Sequence, residues 1–158
     1  MLIEIKEAPR KVSGPKVIAG ILRNILSSED EVDQAKEHFW TVGLNVKNMI
    51  LYLELVSLGT LHNNIIHPRE TFRMAIFKAA ASIIIGHNHP SGGLEISRED
   101  KEVTDRLVRA GDILGIPVLD HVVIANGKKR YLSFRREGLL KSDTKCTPTR
   151  SFNQVKKK

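Results

Sequence analysis

Apolar residues along this chain change their period several times, and each change marks an element. Val17, Ile18, Ile21, Leu22, Ile25 and Leu26 recur at helical spacing behind Pro15, which predicts an amphipathic helix. Before it, Leu2 to Ile5 reads as a short edge strand. After it, Ser28-Glu29-Asp30-Glu31 has the form of a capping box opening a second, short helix. Glu37 to Leu44 then reads as a strand, Asn45 to Asn48 as a turn, and Met49 to Ser57 as the partner strand of a hairpin. Pro68 suits the first turn of another helix, with Phe72, Ala75, Ile76, Ala79 and Ala80 at helical spacing. Ile83 to Ile85 has the composition of a fully buried strand, and Pro90 to Gly93 is turn chemistry. From Arg98 to Leu114 a helix carries Val103, Leu107, Ala110 and Leu114 on one face. Ile116 to Leu119 and His121 to Ile124 supply a further strand, Asn126-Gly127 a hairpin turn, and Tyr131 to Phe134 the last strand. This interleaving predicts a single α/β domain with a mixed, largely central sheet.

Composition narrows the class. With 158 residues, 41% of them hydrophobic, the chain fits one domain that can bury a core without staples. A single cysteine, Cys146, excludes an internal disulfide framework and a multi-cysteine zinc cluster, so any metal must rely on His, Asp and Glu. Met1 to Glu7 carries charges where a signal peptide needs an apolar core, and no uncharged apolar stretch approaches the roughly 18 residues of a membrane span. A cytoplasmic protein is expected. The net charge of +7 is uneven: Gly127 to Lys158 holds 11 basic and 2 acidic residues, whereas the first 126 hold 14 and 16. The basic end can attract nucleic acid through phosphate neutralisation, or serve as a solvated, solubilising tail. The expected organisation is an N-terminal strand and helices over 1–36, a metal-site domain over 37–136, and a basic tail, loosely structured from about Lys141, over 137–158.

The chemistry concentrates between His87 and Asp100. Histidines two apart on a strand project to one face, so His87 and His89 can address a single ion if the strand runs through both. Pro90 favours extended geometry at His89. Asp100, one turn into the following helix, can reach back towards the imidazoles. Two imidazoles and a carboxylate leave tetrahedral zinc an open position for water, as metal-assisted hydrolysis requires. A blander reading stands beside this one. Ser97-Arg98-Glu99-Asp100 is also a helix N-cap, and a lone His-x-His pair is often incidental. Hydrolysis further needs a general base. Glu37 is the candidate, at the start of a strand that can pair near His87; Glu54 and Glu70 compete with it on the residues alone. Asp120-His121 reads either as a pair that orients the site or as a satisfied strand end. His67-Pro68-Arg69-Glu70 reads as a helix start, although Arg69 can also meet a substrate carboxylate.

Glu37, then His87-x-His89, seven residues, Ser97, two residues and Asp100, resembles the JAMM signature of MPN/JAB-domain metalloproteases. Gly59-Thr60, His67-Pro68-Arg69-Glu70, His87-Asn88-His89-Pro90-Ser91-Gly92 and Asp120-His121 narrow the resemblance to the RadC-type branch, over roughly residues 30 to 135. The resemblance implies a cytidine-deaminase-like α/β/α arrangement. It also implies zinc held by His87, His89 and Asp100, Glu37 handling the water's proton, and Ser97 donating to the oxyanion of the tetrahedral intermediate. Two departures stand out. Gly93-Leu94-Glu95-Ile96 replaces the branch's usual Asp-Pro-Thr-Pro type run, which keeps the ligand spacing but leaves the loop freer to move. The 36 residues before Glu37 are not expected to hold the DNA-associated helix–hairpin–helix module of longer members together with the first helix.

The expectation is therefore a zinc-dependent hydrolase of the JAMM type, acting on an amide, peptide or isopeptide bond. The competing expectation is a non-enzymatic, DNA-associated RadC-like protein of recombination, repair or mobile elements, with a structural zinc and a DNA-binding tail. Exposed sheet edges leave room for a homodimer, and no membrane partner is expected.

Overall fold

The computed structural model describes residues 1–3, 10–59 and 66–140. Of the basic tail expected over 137–158, residues 141–158, Cys146 included, lie outside the described residues. The strands are β1 (Leu2–Ile3), β2 (Glu37–Leu44), β3 (Ile50–Gly59), β4 (Ser82–His89), β5 (Val118–Ala125) and β6 (Tyr131–Ser133). The helices are α1 (Pro15–Ser28), α2 (Glu31–Gln34), α3 (Pro68–Phe77) and α4 (Arg98–Leu114). Among the described residues the strands form one sheet in the order β1-β3-β2-β4-β5-β6. Only β4 and β5 pair in parallel, so the sheet is mixed. A parallel pair needs a crossover, and α4 supplies it.

Side chains alternate across the sheet and feed two cores. Trp40, Val42, Leu53, Ile84, Val122 and Ile124 pack against Ile18, Leu22 and Leu26 of α1. Phe39, Tyr52, Ile83 and Ile85 join Phe72 and Ala75 of α3 and Leu107 and Val108 of α4 in the second core. Helices therefore cover both faces. At Gly86 the approach of α1 is so close that a Cβ would stand 2.4 Å from Leu22 Cδ1. That contact seats α1 directly behind the residue preceding His87. Among the described residues no helix is long and apolar enough to cross a membrane.

Two local expectations are adjusted, and a third holds. The cap of α2 is Asp30, whose carboxylate accepts from Asp33 N at 2.8 Å. Ser28 instead ends α1, donating its hydroxyl to Ile25 O at 2.6 Å. The short polar run held two cap residues, and α1 extended far enough to absorb the first. Helix α3 stops at Phe77, and Ala79 has a φ of 49°. The helical spacing read through Ala80 therefore breaks in the turn leading into β4, and Ile76 stays 57% exposed. Third, His67-Pro68-Arg69-Glu70 opens α3, where Arg69 lies 3.7 Å from Glu70.

Candidate metal centre

Strand β4 runs through both histidines, so its two-residue period places their rings on one face at its C-terminal end. His87 is fully buried and His89 half-buried. The loop between β4 and α4 turns at Gly92, which has a φ of 76° and donates its N–H to His89 O at 3.0 Å. It returns the chain to the start of α4, where Ser97 and Asp100 form a reciprocal capping box. Ser97 N donates to Asp100 Oδ2 at 2.9 Å, and Asp100 N donates to Ser97 Oγ at 3.0 Å. The cap and the candidate ligand are thus one arrangement: the bond from Ser97 N fixes the rotamer that aims the Asp100 carboxylate at the histidines. His87 Nε2 lies 3.3 Å from Asp100 Oδ1, His89 Nε2 3.6 Å from Asp100 Oδ2, and the two Nε2 atoms 2.9 Å from each other.

Hydrogen bonding behind the site decides which nitrogens carry lone pairs. Thr104, one turn after Asp100, donates its hydroxyl to Asp100 O at 2.6 Å. Its oxygen is then left to accept, so His121 Nδ1, 2.6 Å away, must be the protonated nitrogen. His121 Nε2 in turn accepts from His87 Nδ1 at 2.7 Å. The chain of donors ends with His87 Nε2 bare and facing Asp100. His89 reaches the same tautomer independently, because its Nδ1 lies 3.1 Å from Gly93 O, a carbonyl that only accepts. Phe134 stacks on the His121 ring at 4.5 Å and Phe39 meets its edge at 6.0 Å, holding the relay's middle member in place.

Two imidazole lone pairs and a carboxylate oxygen therefore converge, and a proton or a cation must sit among them. Tetrahedral zinc with bonds of 2.0–2.2 Å needs donors roughly 3.3–3.6 Å apart. The two histidine–carboxylate edges fall in that range and the His–His edge is a few tenths of an ångström short, so the donor set fits zinc. The electrostatics agree in direction. Burial pushes the His87 imidazole down to about 4 and carries His121 well below its ordinary value, so both stay neutral, as ligand and relay require. The hydrogen bond to Asp100 raises His89. Burial works to raise Asp100, but the His89 bond, the His87 ring when protonated at acid pH, and the Ser97 contacts outweigh it and hold the carboxyl well below the usual range.

The other expected residues separate clearly. Glu37 lines a cleft with Lys36, Gly59, His89, Ser91 and Glu95. It is close enough to His89 for its charge to help raise that imidazole. Glu54 is buried against Arg73 at 2.9 Å, and Glu70 stands 3.9 Å from the same guanidinium. The Asp120-His121 pair divides between its two readings. His121 backs the centre, whereas Asp120 accepts from His121 N, Arg135 N and Ser133 Oγ and so ties β5 to β6 and the segment beyond. Thr104 has no part in the sequence reading, and Asn88 and Asn126 enter it only as members of a motif and a turn, with no role at the site. Only Thr104 left a signal in the sequence, four residues after Asp100 and so on the same helical face.

Residues 12–139 match the family model described as the RadC-like JAB domain. The chain belongs to that family. A UPF0758 protein of Rubrobacter xylanophilus is 45% identical over 129 residues, covering 82% of this chain and 53% of the relative. A UPF0758 protein of Caldanaerobacter subterraneus is 57% identical over 104 residues, 66% of this chain and 44% of the relative. One from Methanosarcina mazei is 44% identical over 137 residues, 87% of this chain and 57% of the relative. The chain thus spans about half the length of the curated relatives it matches. The unusual Gly93-Leu94-Glu95-Ile96 run in this RadC-like JAB domain leaves the histidine geometry intact, because His89 is held there by the Gly93 backbone carbonyl, which any residue would offer.

Proposed function

We propose that this chain is a zinc-dependent hydrolase of the JAMM type that cleaves an amide, peptide or isopeptide bond, on a cytidine-deaminase-like α/β/α scaffold. The observation that carries the reading is the convergence of two Nε2 lone pairs and the Asp100 carboxylate beside a cleft that also contains Glu37. His87, His89 and Asp100 would hold the metal. Zinc, when bound, would lower the pKa of a water and polarise a carbonyl. Glu37, on the cleft side of the histidines, would take the water's proton and return it to the leaving amine. Ser97 Oγ accepts from Asp100 N, so its own hydroxyl proton remains available for an oxyanion. The relay through His121 and Thr104 would keep His87 in the metal-binding tautomer throughout.

Two measurements test this. Purified protein should hold equimolar zinc that His87→Ala abolishes; zinc-free protein indistinguishable from that variant would overturn the metal assignment. Glu37→Gln should then keep zinc and lose turnover on fluorogenic peptide and isopeptide substrates. Unchanged turnover would place the base elsewhere.

A further inference from the structure

Asn88 stands between the two histidines, and its fully buried side chain projects from the other face of β4. Its amide is bound on every side but one lone pair. Oδ1 accepts from His38 N at 2.6 Å, while Nδ2 donates to Lys36 O and to Asn126 Oδ1, both at 3.0 Å. The two backbone partners settle the amide's orientation, since an N–H can only donate and a carbonyl only accept. Asn126, from the turn after β5, closes the set by donating to Gln34 O at 2.7 Å.

Lys36 and His38 are the residues on either side of Glu37. The ladder between β2 and β4 runs from Leu44↔Ser82 to Phe39↔His87, whereas the ladder between β2 and β3 continues to Glu37↔Gly59. At Glu37, then, β3 holds one edge of the strand by backbone pairing. On the other edge the Asn88 side chain grips the peptide groups before and after Glu37. That substitution lets β2 part from the histidine strand just where a water and a substrate would need space, without leaving Glu37 untethered. We infer that Asn88 is a positioning residue for Glu37: it couples the placement of the general base to the strand that carries the metal ligands. The inference rests on the reading of Glu37 as the base.

Cobalt-substituted full-length protein tests it without a substrate, because the visible bands of the bound metal report its coordination environment. Four forms would be compared: wild type, Glu37→Gln, Asn88→Ala and the double variant. The expected result is equimolar cobalt in all four, the same band shift in Asn88→Ala as in Glu37→Gln, and no further shift in the double variant. Asn88→Ala with a wild-type spectrum, or with a shift that adds to that of Glu37→Gln, would overturn the positioning role. A wild-type spectrum for Glu37→Gln would instead count against Glu37 itself. Asn126→Ala, which removes one of the three contacts and spares both grips on the Glu37 peptides, should give a smaller shift in the same direction. It serves as the deciding variant if Asn88→Ala does not fold, and a spectrum unchanged from wild type would then overturn the proposal.

Discussion

His87 Nδ1 lies 2.7 Å from His121 Nε2, and the second ring is held by a threonine whose own proton is already committed to a backbone carbonyl. This contact, made by side chains 34 residues apart, selects the tautomer of a candidate metal ligand. His121→Phe should therefore lower zinc affinity about 10–100-fold, the usual cost of losing a partner behind a metal ligand. His121→Gln, which can still accept from His87 and donate to Thr104, should lose less. Competition with a chromophoric chelator measures both, and equal losses in the two variants would contradict the relay.

Ser97 should prove to serve the helix and the metal together. Ser97→Ala deletes the side-chain half of the capping box and should cost about 1 kcal/mol of stability, read as a Tm lower by about 2–4 °C. Asp100→Asn keeps an oxygen for Ser97 N while discarding the charge. It should retain most of the metal-free protein's Tm yet lose zinc. Calorimetry with metal analysis separates these effects.

Zinc uptake should weaken on acidification. The Asp100 bond raises His89 from its ordinary value, so as the pH falls a proton on its Nε2 competes with zinc for that lone pair. While that proton is present, affinity should fall about tenfold for each pH unit lowered, flattening above the raised His89 value. Near pH 4 the buried His87 also protonates and the slope should steepen towards two protons. A chelator titration across pH 4–9 checks the sign and the slope.

Gly86→Ala should be destabilising through crowding, not through loss of flexibility, because its new Cβ would stand 2.4 Å from Leu22 Cδ1. The expected cost is about 1–3 kcal/mol. Leu22→Ala alone should cost about 2–5 kcal/mol, and the double variant clearly less than the sum. Additive losses in denaturant unfolding would show that α1 does not press on β4 at this point.

Much of the molecule was legible because it follows from local rules. Glu37–Leu44 and Arg98–Leu114 could be read to the residue, since the Asn45–Asn48 turn bounds the first and helical spacing behind a cap marks the second. The end of α3 was less legible: Ala79 and Ala80 extend the helical spacing, yet Ala79 turns out of the helix to bring β4 into the sheet. At the site, His87, His89, Ser97 and Asp100 announced themselves through spacing within fourteen residues. The choice among Glu37, Glu54 and Glu70 had no local basis, because all three lie on other elements.

The sequence by itself determined which atoms could chelate: a period-two strand ending in His-x-His and a capped helix opening with Ser-x-x-Asp can be recognised without any long-range contact. Tertiary structure alone decided which nitrogen of each ring is bare, which acid shares the cleft, and that Asn88 grips the peptides around Glu37. Each of these depends on hydrogen bonds between residues far apart in the chain. Period and propensity constrain a segment's own conformation, but a buried donor takes its acceptor from whatever the folded sheet brings beside it.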